Sequence, residues 1–141
     1  MTHCLTVSPS DSIKYHVNNT CTDFIVELVK PIHCDGKMEI AMIEIDIVYA
    51  SITKTPIRLN VYTDLCVDSN VNGGLSPLLR NFRVRVGGKR QWYQPTVPLY
   101  VTMKTSEIKR IRIYIRDCFG NIPTHLNELL ACTLHIRPCR I

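Results

Sequence analysis

The sequence lacks the features that most directly reveal a function. No stretch approaches the roughly 20 apolar residues that span a membrane, and the opening residues, MTHCLTVSPSDS, show no basic segment followed by an apolar one. We therefore expect neither a membrane span nor a secretion signal. The motifs CxxC, HExxH, GxSxG and GxGxxG and the phosphate-binding P-loop are also missing. Common metalloprotease, serine hydrolase and nucleotide-binding chemistries therefore have no support.

Cysteine is abundant, but its pattern argues against a disulfide scaffold. The seven cysteines are odd in number and widely spaced, which favours reduced thiols in the cytosol or nucleus. Cys34 beside His33 is most simply a small buried thiol at a turn. Cys132 and His135, three residues apart on a strand, would point to opposite faces and could not share a metal. We predict no catalytic residue, no metal site and no cofactor.

Helical periodicity is scarce, and the dominant hydrophobic period is two. Apolar and polar residues alternate over 24–29, 57–65, 82–86, 97–103, 110–116 and 130–137, as in half-buried strands. Turn-forming dipeptides separate these runs. Only SPLLRNF (76–82) and THLNELL (124–130) are helix candidates. The pattern predicts one all-β domain over residues 1–141, a β-sandwich or barrel with at most one short helix.

Residues 36–47, GKMEIAMIEIDI, are apolar on both faces of the predicted strand. A bulge near residues 43–44 would exchange the faces and turn the acidic side chains outward. Alternatively, a second chain covers the outer face, which makes Ile43, Ile45 and Tyr49 candidate interface residues. Trp92 and Tyr93 are further interface candidates, although stacking on nucleic-acid bases and a core position for Trp92 remain open.

The basic residues are concentrated in two segments, RNFRVRVGGKR (80–90) and KTSEIKRIRIYIR (104–116), in a chain of net charge +5. One basic face would bind nucleic acid or an acidic partner; alternatively, the arginines only keep strand edges soluble. We expect Ile113→Asp to abolish soluble protein and Arg112→Asp to leave folding nearly intact. The predicted basic face comprises Arg83, Arg85, Lys89, Arg90, Arg110 and Arg112.

Five blocks of sequence, in order, resemble the capsid genes of Polinton (Maverick) elements and the related adintoviruses and adomaviruses. The blocks are DFIVELVKPIHCDGKMEIAMIEIDI (23–47), LNVYTDLC (59–66), PLLRNFRV (77–84), VPLYVTMKTSEIKRIRIYIRDCFGNIP (97–123) and TLHIR (133–137). Met38 departs from the family, which usually has Trp there. The family's blocks contain no catalytic residue.

The resemblance implies a minor capsid protein of the penton type. Its fold would be an antiparallel β-sandwich of jelly-roll type with about eight strands, and residues 1–12 would form an extended N-terminal arm. It would assemble as a homopentamer at the vertices of the virion, made in the host cytoplasm and assembled in the nucleus. Its partners would be the major capsid protein and packaged DNA. An accessory or cement capsid protein, or a non-viral β-sandwich that binds nucleic acid or an acidic partner, is the alternative.

Overall fold

Eleven β-strands make up the regular structure in the computed structural model, which describes residues 2–11, 16–50, 57–84 and 90–139. No helix occurs within these ranges, and all strand pairs are antiparallel. The strands are β1 (His3–Val7), β2 (Asp23–His33), β3 (Met38–Tyr49), β4 (Ile57–Thr63), β5 (Ser69–Val71), β6 (Gly74–Ser76), β7 (Leu78–Val84), β8 (Arg90–Tyr93), β9 (Val101–Thr102), β10 (Glu107–Asp117) and β11 (Leu126–Pro138).

The long strands form two sheets that enclose one hydrophobic core. Sheet I has the order β1-β11-β3-β8, with β9 paired to β3, and sheet II has the order β2-β10-β4-β7. Residues of both sheets contribute to a single buried cluster. The predicted all-β antiparallel sandwich is therefore confirmed. The strand count exceeds the predicted eight because of three short strands, β5, β6 and β9.

The strand pairs are nested along the chain. Strand β1 pairs with β11, β2 with β10, β3 with β8 and β4 with β7, as though one long hairpin had been wound around the core. Successive pairs then alternate between the two sheets. The predicted N-terminal arm contributes its residues 3–7 to this arrangement, as a strand at the edge of sheet I.

The core is built by strict alternation in β10. Ile111, Ile113 and Ile115 are fully buried, while the residues between them face outward from sheet II. Because neighbouring side chains on a strand point to opposite faces, three isoleucines at this spacing all enter the core. Each fully buried isoleucine contributes about 1.5–3 kcal/mol relative to exposure.

A bulge in β3 exchanges its inward and outward faces. Thr133 pairs with Glu44 and the next residue of β11 pairs with Met42, so Ile43 is the extra residue. The predicted bulge near 43–44 is confirmed. Before it the even-numbered residues of β3 are buried, and after it Ile45 and Tyr49 are, at 0% and 2% exposure. The assignment of these two residues to a subunit interface is corrected, because they lie in the core of the single chain.

The two helix candidates form strands instead. In SPLLRNF, Ser76 ends β6 and residues 78–82 form most of β7, and THLNELL becomes a short turn followed by the start of β11. The first half of β11 shows no regular period of two in its sequence, because its pairing register with β3 shifts twice before Ala131. As a result Leu129 is buried, and Leu130, which the alternation over 130–137 would place in the core, is only half-buried.

The predicted strand over 97–103 is largely wrong. Only Val101–Thr102 pairs with β3, while Val97 and Leu99 are exposed. Pro95 and Pro98 interrupt this segment, and proline cannot donate to a strand ladder. Strand β3 therefore pairs with β8 near its C-terminal end and with β9 near its N-terminal end. The chain between β8 and β9 leaves the sheet.

Candidate functional site

The predicted basic face is divided between the two sheets. Arg90 lies on β8 in sheet I, where its guanidinium binds the Asp46 carboxylate at 2.8 Å. Arg83, Arg110 and Arg112 lie in sheet II. Arg85 and Lys89 lie outside the described residues. The prediction of one continuous face is therefore wrong for Arg90, because the chain crosses from one sheet to the other between β7 and β8.

Two of the predicted arginines are occupied by carboxylates of the same chain. Arg112 makes two parallel hydrogen bonds to Asp23, at 3.0 and 2.8 Å, and Arg110 lies 3.4 Å from Glu27. The planar fork of arginine matches a carboxylate in this way. Both pairs connect β10 to β2, so these arginines act mainly as cross-strand links.

Sheet II holds a second group of cationic side chains, here called the arginine cluster: Arg58, Arg83 and Arg116. Arg58 on β4 is directly opposite Arg83 on β7, and Arg116 on β10 is opposite Asn60 on β4. Arg116 donates to two backbone carbonyl groups. Within the described ranges, none of the three forms an ion pair.

Arg58 and Arg116 were not predicted as members of a site. Each is an outward-facing residue of an alternating strand, and arginine is common at such surface positions. Only the register between β4, β7 and β10 brings them beside Arg83. The alternation of the two strands indicates only that Arg58 and Arg83 face outward. Their pairing depends on the register between β4 and β7, which shifts at a bulge between Val61 and Tyr62.

Beside the arginine cluster, Tyr62 and Tyr114 stack across sheet II. Their ring centroids are 4.8 Å apart with an interplanar angle of 12°. The guanidinium groups of Arg112 and Arg116 lie 4.6 and 5.3 Å from the centre of the Tyr114 ring. Cation–π contacts at this distance contribute about 0.5–1 kcal/mol at exposed sites. The stack thus holds the arginines in place on the sheet.

The adjacent pair Trp92 and Tyr93 is separated by the alternation of β8. Tyr93 turns toward the core, where it stacks on Phe82 of the other sheet at 5.1 Å and its hydroxyl accepts a hydrogen bond from Arg80. Trp92 points outward and is 59% exposed. Tyr93 is therefore a link between the sheets, and Trp92 remains a surface residue.

The outer face of sheet I is covered by a polar network around Tyr100. The Tyr100 hydroxyl lies 2.8 Å from Nδ1 of His135, and the Arg137 guanidinium is 3.4 Å from the centre of the Tyr100 ring. Arg137 also donates to Glu39 at 2.6 Å. These contacts hold the segment before β9 against the sheet. Ile43, the remaining interface candidate, is half-buried at the bulge.

The buried thiols are poorly suited to chemistry. Burial raises the pKa of Cys66 to about 11 and that of Cys132 to about 12, and the thiolate is the form that attacks or binds metal. Among the described residues, no three His, Cys, Asp or Glu side chains are grouped so as to hold a metal ion. The described residues also include no helix that is long and apolar enough to cross a membrane.

Comparison with known proteins assigns no family to this chain. No protein-family model matches it, and no curated protein matches its sequence significantly.

Proposed function

We propose that this chain is a structural capsid protein, a jelly roll that assembles through its own copies. The observation that carries the proposal is the nested pairing of the eight long strands. Winding one long hairpin so that alternate pairs fall in opposite sheets is the defining feature of a jelly roll, which occurs in viral capsid proteins, lectins and cupins. Fold alone does not select among these.

The resemblance to Polinton and adintovirus capsid genes supports the capsid class. Its five blocks fall on β2 and β3, on β4, on β7, on β9 and β10 with the turn that follows, and on β11. They thus cover six of the eight strands that form the nested pairs and leave out β1 and β8. A cupin would need several histidines and a carboxylate converging inside the sandwich, whereas Tyr100 and His135 meet on its outer face.

Exposed apolar side chains support assembly. Val97 and Leu99 are 67% and 56% exposed in the segment between β8 and β9, and Phe119 and Ile122 are 82% and 59% exposed in the turn between β10 and β11. Clustered apolar exposure often marks a contact with another protein. Copies arranged in a ring, side by side, would cover both places, and a vertex of the shell would accommodate five copies beside the major capsid protein.

The proposal is tested by the size of the particle that the purified chain forms. Light scattering after gel filtration and negative-stain microscopy should show a ring of several 16.1 kDa chains. The double variant Val97→Asp, Leu99→Asp should elute as a folded monomer. The matched control Val29→Asp, Leu75→Asp changes two exposed apolar residues of β2 and β6 and should still form the ring.

Two results would contradict the proposal. A wild-type chain that remains monomeric at high concentration would favour the non-viral binding module. A ring that survives in the first double variant and is lost in the control would show that the interface is assigned to the wrong surface.

A further inference from the structure

A shallow cleft runs along the open edge of the sandwich, between β7 of sheet II and β8 of sheet I. Phe82, Arg83, Gln91, Trp92, Tyr93 and Gln94 line it. The cleft is anchored by the Phe82–Tyr93 stack, which joins the two sheets. Trp92, the Arg83 guanidinium and the amide groups of Gln91 and Gln94 therefore lie together at this edge.

The indole of Trp92 is the exposed aromatic surface of this cleft. It projects from the side of β8 opposite the core, and its cross-strand partner is Asp46. The carboxylate of Asp46 is already bound by Arg90. A large apolar ring with 59% of its surface exposed offers a face on which a planar group can stack.

The arginine cluster begins at the same edge and continues over the outer face of sheet II, so a ligand that contacts both Trp92 and the cluster passes around this edge. Arg83 lines the cleft, Arg58 is opposite Arg83, and Arg116 follows in the next row of side chains. Like charges directly opposite one another on neighbouring strands repel and destabilise a sheet. An anion placed between Arg58 and Arg83 would remove this repulsion and gain charge-assisted hydrogen bonds.

From this arrangement we infer that the chain binds single-stranded nucleic acid, with one base stacked on Trp92 and the backbone phosphates on the arginine cluster. Proteins that bind single strands combine a cationic track with aromatic platforms in this way. A duplex would supply phosphates but no unstacked base for the indole. An acidic peptide would supply carboxylates but would leave the indole without a planar partner. The inference does not depend on whether the chain forms a ring.

The sole tryptophan of the chain makes the test direct. Titration of the full chain with oligo(dT) at low salt should quench Trp92 fluorescence, and binding should weaken steeply as salt is added because phosphate contacts release counterions. Anisotropy of a labelled oligonucleotide should show that Trp92→Ala lowers the affinity about fivefold to a hundredfold, the range for losing one stacked base.

Charge variants separate the arginine cluster from net charge. Arg58→Glu with Arg83→Glu should reduce binding at least tenfold. Lys30→Glu with Lys37→Glu changes two exposed lysines in β2 and its following turn by the same total charge and should have a much smaller effect. Far-ultraviolet circular dichroism and gel filtration confirm that each variant is folded in the state of the wild type.

Three outcomes would overturn the inference. Equal affinity for a duplex, with no quenching, would indicate phosphate contact without base stacking. Equally tight binding of polyglutamate, dependent on Arg58 and Arg83, would indicate an acidic protein partner. Emission from Trp92 that is already shifted to the blue without ligand, in a ring that binds no oligonucleotide, would place the indole in an interface between copies.

Discussion

The bulge at Ile43 can be tested by deleting the extra residue. Without Ile43 the strand alternates without interruption, with Met42 inward, Glu44 outward and Ile45 inward. The core residues keep their positions, and the chain loses a half-buried side chain and the local twist that a bulge introduces. We expect the variant to fold with a loss of about 1 kcal/mol in the free energy of unfolding, roughly half the value of a fully buried isoleucine.

Deletion of Asp46 is the matched control, because it shortens the same strand by one residue on the other side of Ile45. It turns Ile47 and Tyr49, which are 0% and 2% exposed, to the outer face. Losing the burial of two such side chains costs about 3–6 kcal/mol, a large part of the roughly 5–15 kcal/mol that stabilises a domain. The lost Asp46–Arg90 pair is mostly exposed and contributes about 1 kcal/mol at most.

Urea unfolding followed by circular dichroism, together with the yield of soluble protein, distinguishes the two deletions. The point variant Asp46→Ala measures the contribution of the ion pair separately. If deletion of Ile43 were as damaging as deletion of Asp46, the exchange of faces in β3 would not arise from a single extra residue. A second chain covering the outer face would then become the better explanation.

Four further predictions concern the core and its charged surface. Ile113→Asp should abolish soluble expression, since Ile113 is fully buried and the carboxylate would have no partner. Arg112→Asp, expected from the sequence to be mild, should lower the midpoint of urea unfolding by an amount equivalent to about 1 kcal/mol, because it replaces a half-exposed ion pair with Asp23 by two like charges; Arg112→Gln should cost less. Maleimide should modify Cys66 and Cys132 only after unfolding. Because burial raises the folded-state pKa values of these thiols from 9.0 to about 11 and 12, their contribution to stability is complete below pH 9 and should fall between pH 9 and 12. Cys132→Val should reduce the loss of unfolding free energy between pH 9 and 12, measured by urea titration. An unchanged pH dependence in this variant would contradict the role of the Cys132 thiol.

The strands that could be predicted are those whose two faces meet different surroundings. In β10, isoleucines face the core and arginines or tyrosine face outward, so the period of two is unmistakable. The same reasoning located the bulge in β3, because an apolar run on both faces requires either an exchange of faces or a cover. In these strands the alternation of apolar and polar residues shows which side chains are buried. The strand conformation is favoured because it places the apolar side chains on the buried face.

The failures occur where pairing over long sequence distance decides the conformation. Residues 124–130 have a helical distribution of leucines, yet the partner β3 imposes a strand with shifted register on them. Residues 97–100 alternate like a strand, yet Pro95 and Pro98 accompany a departure from the sheet. The arginine cluster was hidden for the same reason, since Arg58, Arg83 and Arg116 become neighbours only through the order of the strands in sheet II.

The strand order also gives the sandwich two faces of opposite charge. Leaving histidine aside, the four strands of sheet II carry eight basic and four acidic residues, whereas the five strands of sheet I carry two basic and four acidic residues. The acidic strands of sheet I lie across the core from the arginine cluster, and the Asp46 carboxylate beside Trp92 is already bound by Arg90. If copies assemble side by side with a common orientation, their sheets II add into one extended cationic surface, and the affinity of the assembly for a long single strand should exceed that of one chain through multivalency.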